Sequence, residues 1–151
     1  MSTSRDLVSM LPHRPPMLLL DQAELTQDGS ELTAVWNVPK EDPVLDGHFP
    51  DFPIWPGALL LESMAQTTAV YLLGQLDDLQ PDEMPVLGSA DVRFLSPVLP
   101  GDTIYFTTHL VRRLGRQGLF SVRAVNQDDR PVARAKVTAG ITSRKTFDAP
   151  D

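Results

Sequence analysis

Apolar residues along the chain change rhythm several times, and each change predicts an element. Residues 31–38, "ELTAVWNV", alternate, so that Leu32, Ala34, Trp36 and Val38 share one face of a strand behind the turn "DGS". The run "MLLLDQAEL" reads as a strand before it. It follows "MLPHRPP", whose successive prolines cannot continue a helix. From Pro56 to about Gln75, Leu59, Leu60, Leu61, Met64, Ala65, Ala69, Val70, Leu72 and Leu73 lie around nearly the whole helical wheel. A helix apolar on most sides is a buried one, and Pro56 suits its first turn, where a missing N–H costs nothing. The nineteen residues "PKEDPVLDGHFPDFPIWPG" hold five prolines and two glycines and predict a structured loop without a regular element.

Beyond "DDLQPDEMP" the pattern predicts strands at roughly 84–98, 102–113, 118–127 and 131–142, parted by "LPGD", "RLGRQG" and "NQDDRP". Val132–Thr138 alternates small apolar residues with Arg134, Lys136 and Thr138, so one face of the sheet is wet. A single helix cannot bury itself. The expected fold is α+β, a curved antiparallel β-sheet wrapped around one long central helix. It forms one domain over 1–151, with loosely packed ends at about 1–5 and 144–151. Such a sheet leaves an edge strand, which favours edge-to-edge dimerisation.

Composition narrows the functional classes. The absence of cysteine removes disulfides, thiolate zinc sites and a thiol nucleophile. The first residues lack the apolar run of a signal peptide and no segment reaches the length of a membrane span, so a cytoplasmic location is expected. The net charge of −7 argues against nucleic acid as a partner. Charge is unevenly placed, at −11 over residues 1–90 and +4 over 91–151. That predicts either a polarised surface or a solvated sheet face that uses arginine.

Two residues stand out chemically. Glu62 lies in the second turn of the buried helix. Burial would raise the pKa of its carboxyl, the helix N-terminus would lower it, and Gln66 at i+4 can hydrogen-bond and orient it. The alternative is that the helix face around Glu62 reaches solvent. His48 lies in "GHFP", where Gly47 and Pro50 suggest a fixed backbone. His13 is expected to hydrogen-bond within its loop, and His109 sits in a strand. Gly57 lets a ligand approach the helix N-terminus, whose free N–H groups can hold a developing oxyanion. No metal-ligand spacing or phosphate loop is present, and Ser63 lacks the strand–turn–helix setting of a nucleophile elbow.

The segment "GHFPDFPIWPGALLLESMAQ" resembles the signature of the bacterial 3-hydroxyacyl-[acyl-carrier-protein] dehydratases, a hot-dog-fold family. "LPHRPPMLLLD" and "DVRFLSPVLPGD" are similar to the family's N-terminal segment and post-helix strand, so the resemblance runs from about residue 7 to 142. It implies that the histidine and the helix acid face each other across a dimer interface, one from each subunit. It implies His48 as the base for the α-proton, Glu62 as the acid for the departing β-hydroxyl, and the Gly57 N–H as donor to the thioester carbonyl. Gln66 would position Glu62, and the carbonyl near Ile54 would hold the His48 ring. The acid is Glu, as in the members that do not isomerise the double bond. No cofactor or metal is implied. The implied partners are acyl carrier protein and a 3-hydroxyacyl thioester, and the implied assembly is a homodimer or a trimer of dimers. Trp55, Met84, Pro85 and Val86 depart from the family's usual residues around the acyl tunnel, which bears on acyl specificity. Arg112, Arg113 and Arg116 around "RRLGRQG" are candidates for docking an acidic carrier. Rival readings are a hot-dog thioesterase using Glu62 to activate water, and a non-catalytic carrier-binding subunit.

Overall fold

The computed structural model describes residues 6–147. Its strands are β1 (Gln22–Leu25), β2 (Glu31–Asn37), β3 (Glu83–Phe94), β4 (Thr103–Leu114), β5 (Gln117–Val125) and β6 (Pro131–Ser143). Its helices are α1 (Pro43–Gly47) and α2 (Gly57–Gln75), with short 3-10 turns at Val8–Met10 and Arg144–Thr146. The strands form one antiparallel sheet in the order β1-β2-β4-β5-β6-β3. Helix α2 touches all six strands, so the sheet wraps around it as the single-helix pattern requires.

The alternation of side chains decides which sheet face meets α2. Register aligns Ala34, Phe106, Ala124 and Ala133 across four strands, and Leu32, Thr108, Val122 and Ala135 in the next inward row. All eight are buried against the helix side chains Leu60, Met64, Val70, Leu72 and Leu73. Each large apolar side chain there contributes about 1.5–3 kcal/mol by leaving water. One polar contact crosses this layer, Thr67 Oγ to Thr108 Oγ at 2.7 Å, which satisfies both buried hydroxyls. On the outer face Arg93, Arg134 and Arg123 stand side by side on β3, β6 and β5, which is the wet face that the Val132–Thr138 pattern predicts.

Three expectations about elements need correction. The proline-rich loop contains a regular element after all. Pro43 opens α1 at a position where proline is tolerated, and the Asp42 side chain caps it by accepting from Val44 N–H at 2.9 Å. "MLLLDQAEL" is strand only from Gln22, because the backbone of Leu19 bonds to side chains of α2 and not to a neighbouring strand. The strand expected to run to 98 ends at Phe94, ahead of Pro97. Of the ends expected to be loosely packed, 1–5 and 148–151 lie outside the described residues, while the Arg144 N–H donates to the Asp82 carbonyl at 2.7 Å.

The two edges of the sheet differ. β1 offers four residues and β3 offers twelve, and Leu87 and Phe94 on β3 are each about half exposed.

Candidate active site

Glu62 sits where segment 11–19 crosses α2, and side chains of α2 staple that segment in place. Gln66, 1% exposed, accepts from the Leu19 N–H at 2.9 Å and donates to the Met17 carbonyl at 2.7 Å and to Glu62 Oε1 at 3.0 Å. Ser63 Oγ donates to the Leu19 carbonyl at 2.9 Å. Arg14 braces the start of the same segment, its Nη1 donating to the carbonyls of Leu11 (2.8 Å) and His13 (2.6 Å). The result is that His13 Nε2 stands 3.4 Å from Glu62 Oε1. The Glu62 side chain keeps 27% of its exposure and opens on a small cavity of about 60 Å³ walled by Gln66, Pro85, Val86, Leu87 and Ala139. The His13 ring, and then the Gln66 N–H, hold the Glu62 carboxyl below its ordinary value, although partial burial pushes it upward.

His48 follows α1 directly. Its carbonyl accepts from the Ile54 N–H at 2.8 Å, and its Nδ1 lies 2.9 Å from the Ile54 carbonyl. A carbonyl can only accept, so Nδ1 carries the hydrogen and Nε2 keeps its lone pair, the tautomer a general base needs. The ring stacks on Phe49 with centroids 4.2 Å apart.

Gly57 is the first residue of α2, which Pro56 enters without a side-chain cap. Its N–H therefore has no partner within the helix. A Cβ at Gly57 would stand 3.1 Å from the Phe94 ring, so glycine is what lets β3 close over this helix end. Gly57, Ile54, Trp55 and Phe94 line a cleft of about 400 Å³. Trp55 is 3% exposed and packs against Trp36 with centroids 6.2 Å apart.

The structure thus places Glu62, Gln66, Pro85 and Val86 around one cavity, and Gly57, Ile54 and Trp55 around another. Met84 precedes Pro85 on β3 and lines neither. His48 does not line the Glu62 cavity, and no hydrogen bond or ion pair joins the two within the described residues. Of the three arginines, Arg116 faces Asp78 (3.5 Å) and Glu83 (3.3 Å), Arg113 Nε donates to the Gly115 carbonyl at 3.0 Å, and Arg112 is exposed. The His13 carbonyl bonds within its loop, to Arg14, as expected, but the His13 ring meets Glu62 instead. The only sequence signal for it was its place in "LPHRPPMLLLD". The described residues hold no cluster of three or more acidic or histidine side chains that could bind a metal, and none of the helices among them is long and apolar enough to cross a membrane.

Comparison with known proteins identifies the family and the fold. Residues 11–136 match the family model for the FabA-like domain. A 3-hydroxyacyl-[acyl-carrier-protein] dehydratase FabZ from Polynucleobacter asymbioticus is 38% identical over 141 residues, covering 91% of this chain and 91% of that protein. One of the same name from Thermotoga petrophila is 37% identical, covering 90% and 95%. Among solved structures, a hot-dog-like protein from Thermanaerovibrio acidaminovorans superposes with a TM-score of 0.61 at 19% identity, covering 95% of this chain and 92% of that one. The fluoroacetyl-CoA thioesterase FlK superposes with a TM-score of 0.66 at 18% identity, covering 80% and 92%. The structural likenesses establish the hot-dog fold. The sequence relatives go further, and the chain belongs to the FabA-like family, among the 3-hydroxyacyl-[acyl-carrier-protein] dehydratases of the FabZ type.

Proposed function

We propose that the protein reversibly dehydrates 3-hydroxyacyl thioesters on acyl carrier protein to trans-2-enoyl thioesters, in fatty acid or related acyl or polyketide biosynthesis in the cytoplasm. The observation that carries this reading is a complementary pair in one chain. His48 has a free Nε2 lone pair, and Glu62 is a carboxylate held at one oxygen beside a small cavity of mixed polar and apolar lining.

His48 Nε2 takes the α-proton, and the C–H electron pair moves into the thioester carbonyl. The Gly57 N–H stabilises the oxygen that gains charge; one such donor is worth about 2.7–4 kcal/mol. The electrons return to form the C=C bond as the β-hydroxyl leaves with its C–O pair and takes a proton from Glu62, giving water. Acid and base help of this kind contributes roughly 10²–10⁴-fold each. Glu62 must carry a proton to do this, whereas its two donors favour the anion. An acyl chain filling the cavity displaces the water that reaches the side chain, and desolvation favours the neutral acid. Pro85 and Val86 beside Glu62, Met84 on the same strand, and Trp55 near Gly57 would then shape the acyl tunnel.

Because His48 and Glu62 do not meet within one chain, the site is assembled from two copies paired along the long free edge β3, as a homodimer or a trimer of dimers. An acidic carrier would dock on Arg112 and Arg113. Arg116 contributes less, since Asp78 and Glu83 already engage it.

The test mixes two inactive variants. His48→Ala and Glu62→Gln should each lower kcat about 10²–10⁴-fold, and subunit exchange between them should restore activity through one intact site per mixed dimer. Absorbance of the enoyl thioester, read beside free-thiol release, separates dehydration from hydrolysis. No recovery after verified exchange would refute the shared site. Thiol release without enoyl product would make the protein a thioesterase, and neither product would favour a binding subunit.

A further inference from the structure

His13 and Gln66 converge on the same oxygen of Glu62. Gln66 Nε2 lies 3.0 Å from Oε1 and His13 Nε2 lies 3.4 Å from that same atom, while Oε2 has no side-chain partner among the described residues. Carboxylates that serve only as structural acceptors can use both oxygens, so two donors on one oxygen leave the other for chemistry. His13 Nδ1 is buried and lacks any hydrogen-bond partner. Putting a hydrogen on that nitrogen would strand a buried donor, whereas leaving it a bare lone pair costs less, so the ring's hydrogen belongs on Nε2, facing Glu62. The backbone brace is specific to this outcome. Arg14 ties the carbonyls of Leu11 and His13, and Gln66 and Ser63 tie Met17 and Leu19, so both ends of the segment carrying His13 are fastened.

We propose that His13 is a positioning residue for Glu62, donating from Nε2 to Oε1 so that Oε2 is the oxygen that carries the catalytic proton towards the leaving hydroxyl. This rests on the dehydratase reading above. At 3.4 Å the contact is longer than a well-formed hydrogen bond, and the proposed role requires it to shorten when substrate is bound. His13 also tunes acidity, since its contact is the largest influence lowering the Glu62 carboxyl. The remaining walls of the cavity, from α2, β3 and β6, are uncharged, and the neighbouring Arg14 guanidinium is turned onto backbone carbonyls. The one further titratable group that would enter is His48 of the second copy.

Three variants test this: His13→Leu, which removes the donor, His13→Asn, which is too short to reach Oε1, and His13→Gln, whose amide can replace Nε2. Leu and Asn should lower kcat about ten- to a hundredfold with KM within about threefold, a fraction of the full acid contribution. Gln should retain at least about a third of wild-type kcat. The alkaline fall of kcat, where Glu62 loses its proton, should move to higher pH in Leu and Asn. Carbon-13 NMR of the Glu62 carboxyl in a His48→Ala background should show its titration moving upward in the same two variants. That readout needs no turnover, so it stands even if the dehydratase reading fails. A Glu62 titration unmoved by loss of His13, or equal losses in Gln, Leu and Asn, would overturn the proposal. If the Leu variant does not fold, the Asn and Gln pair decides alone.

Discussion

Gln66 is the residue on which the site geometry most depends, and replacing it with leucine has a cost that can be worked out bond by bond. Leucine fills nearly the same volume in a place only 1% exposed, so little cavity forms. Three hydrogen bonds go. The Leu19 N–H is left buried and unpaired, at about 1–3 kcal/mol. The Met17 carbonyl is only partly buried, so water replaces most of that bond and the cost is about 0–1 kcal/mol. The bond to Glu62, a partly buried carboxylate still open to solvent, adds about 0.5–1 kcal/mol. Gln66→Leu should therefore lose about 1.5–5 kcal/mol in urea unfolding, measured at fixed protein concentration because assembly shifts apparent stability. The Leu19 amide should exchange hydrogen faster than other buried amides of the same region. Ser63→Ala should cost about 1 kcal/mol, and the double variant less than the sum, because both side chains hold Leu19. A loss below about 1 kcal/mol for Gln66→Leu, with the Leu19 amide still protected, would refute the staple.

Two more perturbations follow from the same coordinates. Glu62 titrates below its ordinary 4.5, so its contribution to stability is complete above that value and is lost as pH falls through the lowered one. The stability gap between wild type and Glu62→Gln should shrink as pH falls through 4.5 and below, and a constant gap would show that the native carboxyl is unperturbed. Replacing Arg112 and Arg113 with Glu should raise KM for carrier-linked substrate while a small thiol-linked mimic turns over normally, with the difference fading as salt screens it over a Debye length of roughly 8 Å. Equal effects on both substrates would remove these arginines from docking.

Much of this was legible in the chain because it is local. The helix expected from Pro56 runs from Gly57 to Gln75, since its signal is a dense apolar run opened by proline. The inward alternation of Leu32 and Ala34 and the i+4 reach of Gln66 to Glu62 are likewise set by periodicity alone. Helix α1 was hidden by its prolines, although Asp42 before Pro43 is a cap followed by a tolerated first residue. What could not be read is non-local. His13 is 49 residues from Glu62 in sequence, and the two meet only because side chains of α2 capture the backbone of Met17 and Leu19. The same capture explains why an apolar run that looks like a strand joins no sheet at Leu19.

The inequality of the two sheet edges sets how many hands the molecule has for holding others. A chain with two long bare edges has a valence of two and can grow without limit, each added copy exposing a fresh end. Here β3 presents twelve residues and β1 only four, with the charged, exposed Glu24 among them. Pairing β3 with β3 about a twofold axis spends the one long edge on both partners at once and leaves a pair whose outer margins are the short strands. In the proposed β3-paired dimer, growth by strand addition would therefore terminate at two, and any larger assembly would be joined through faces or loops.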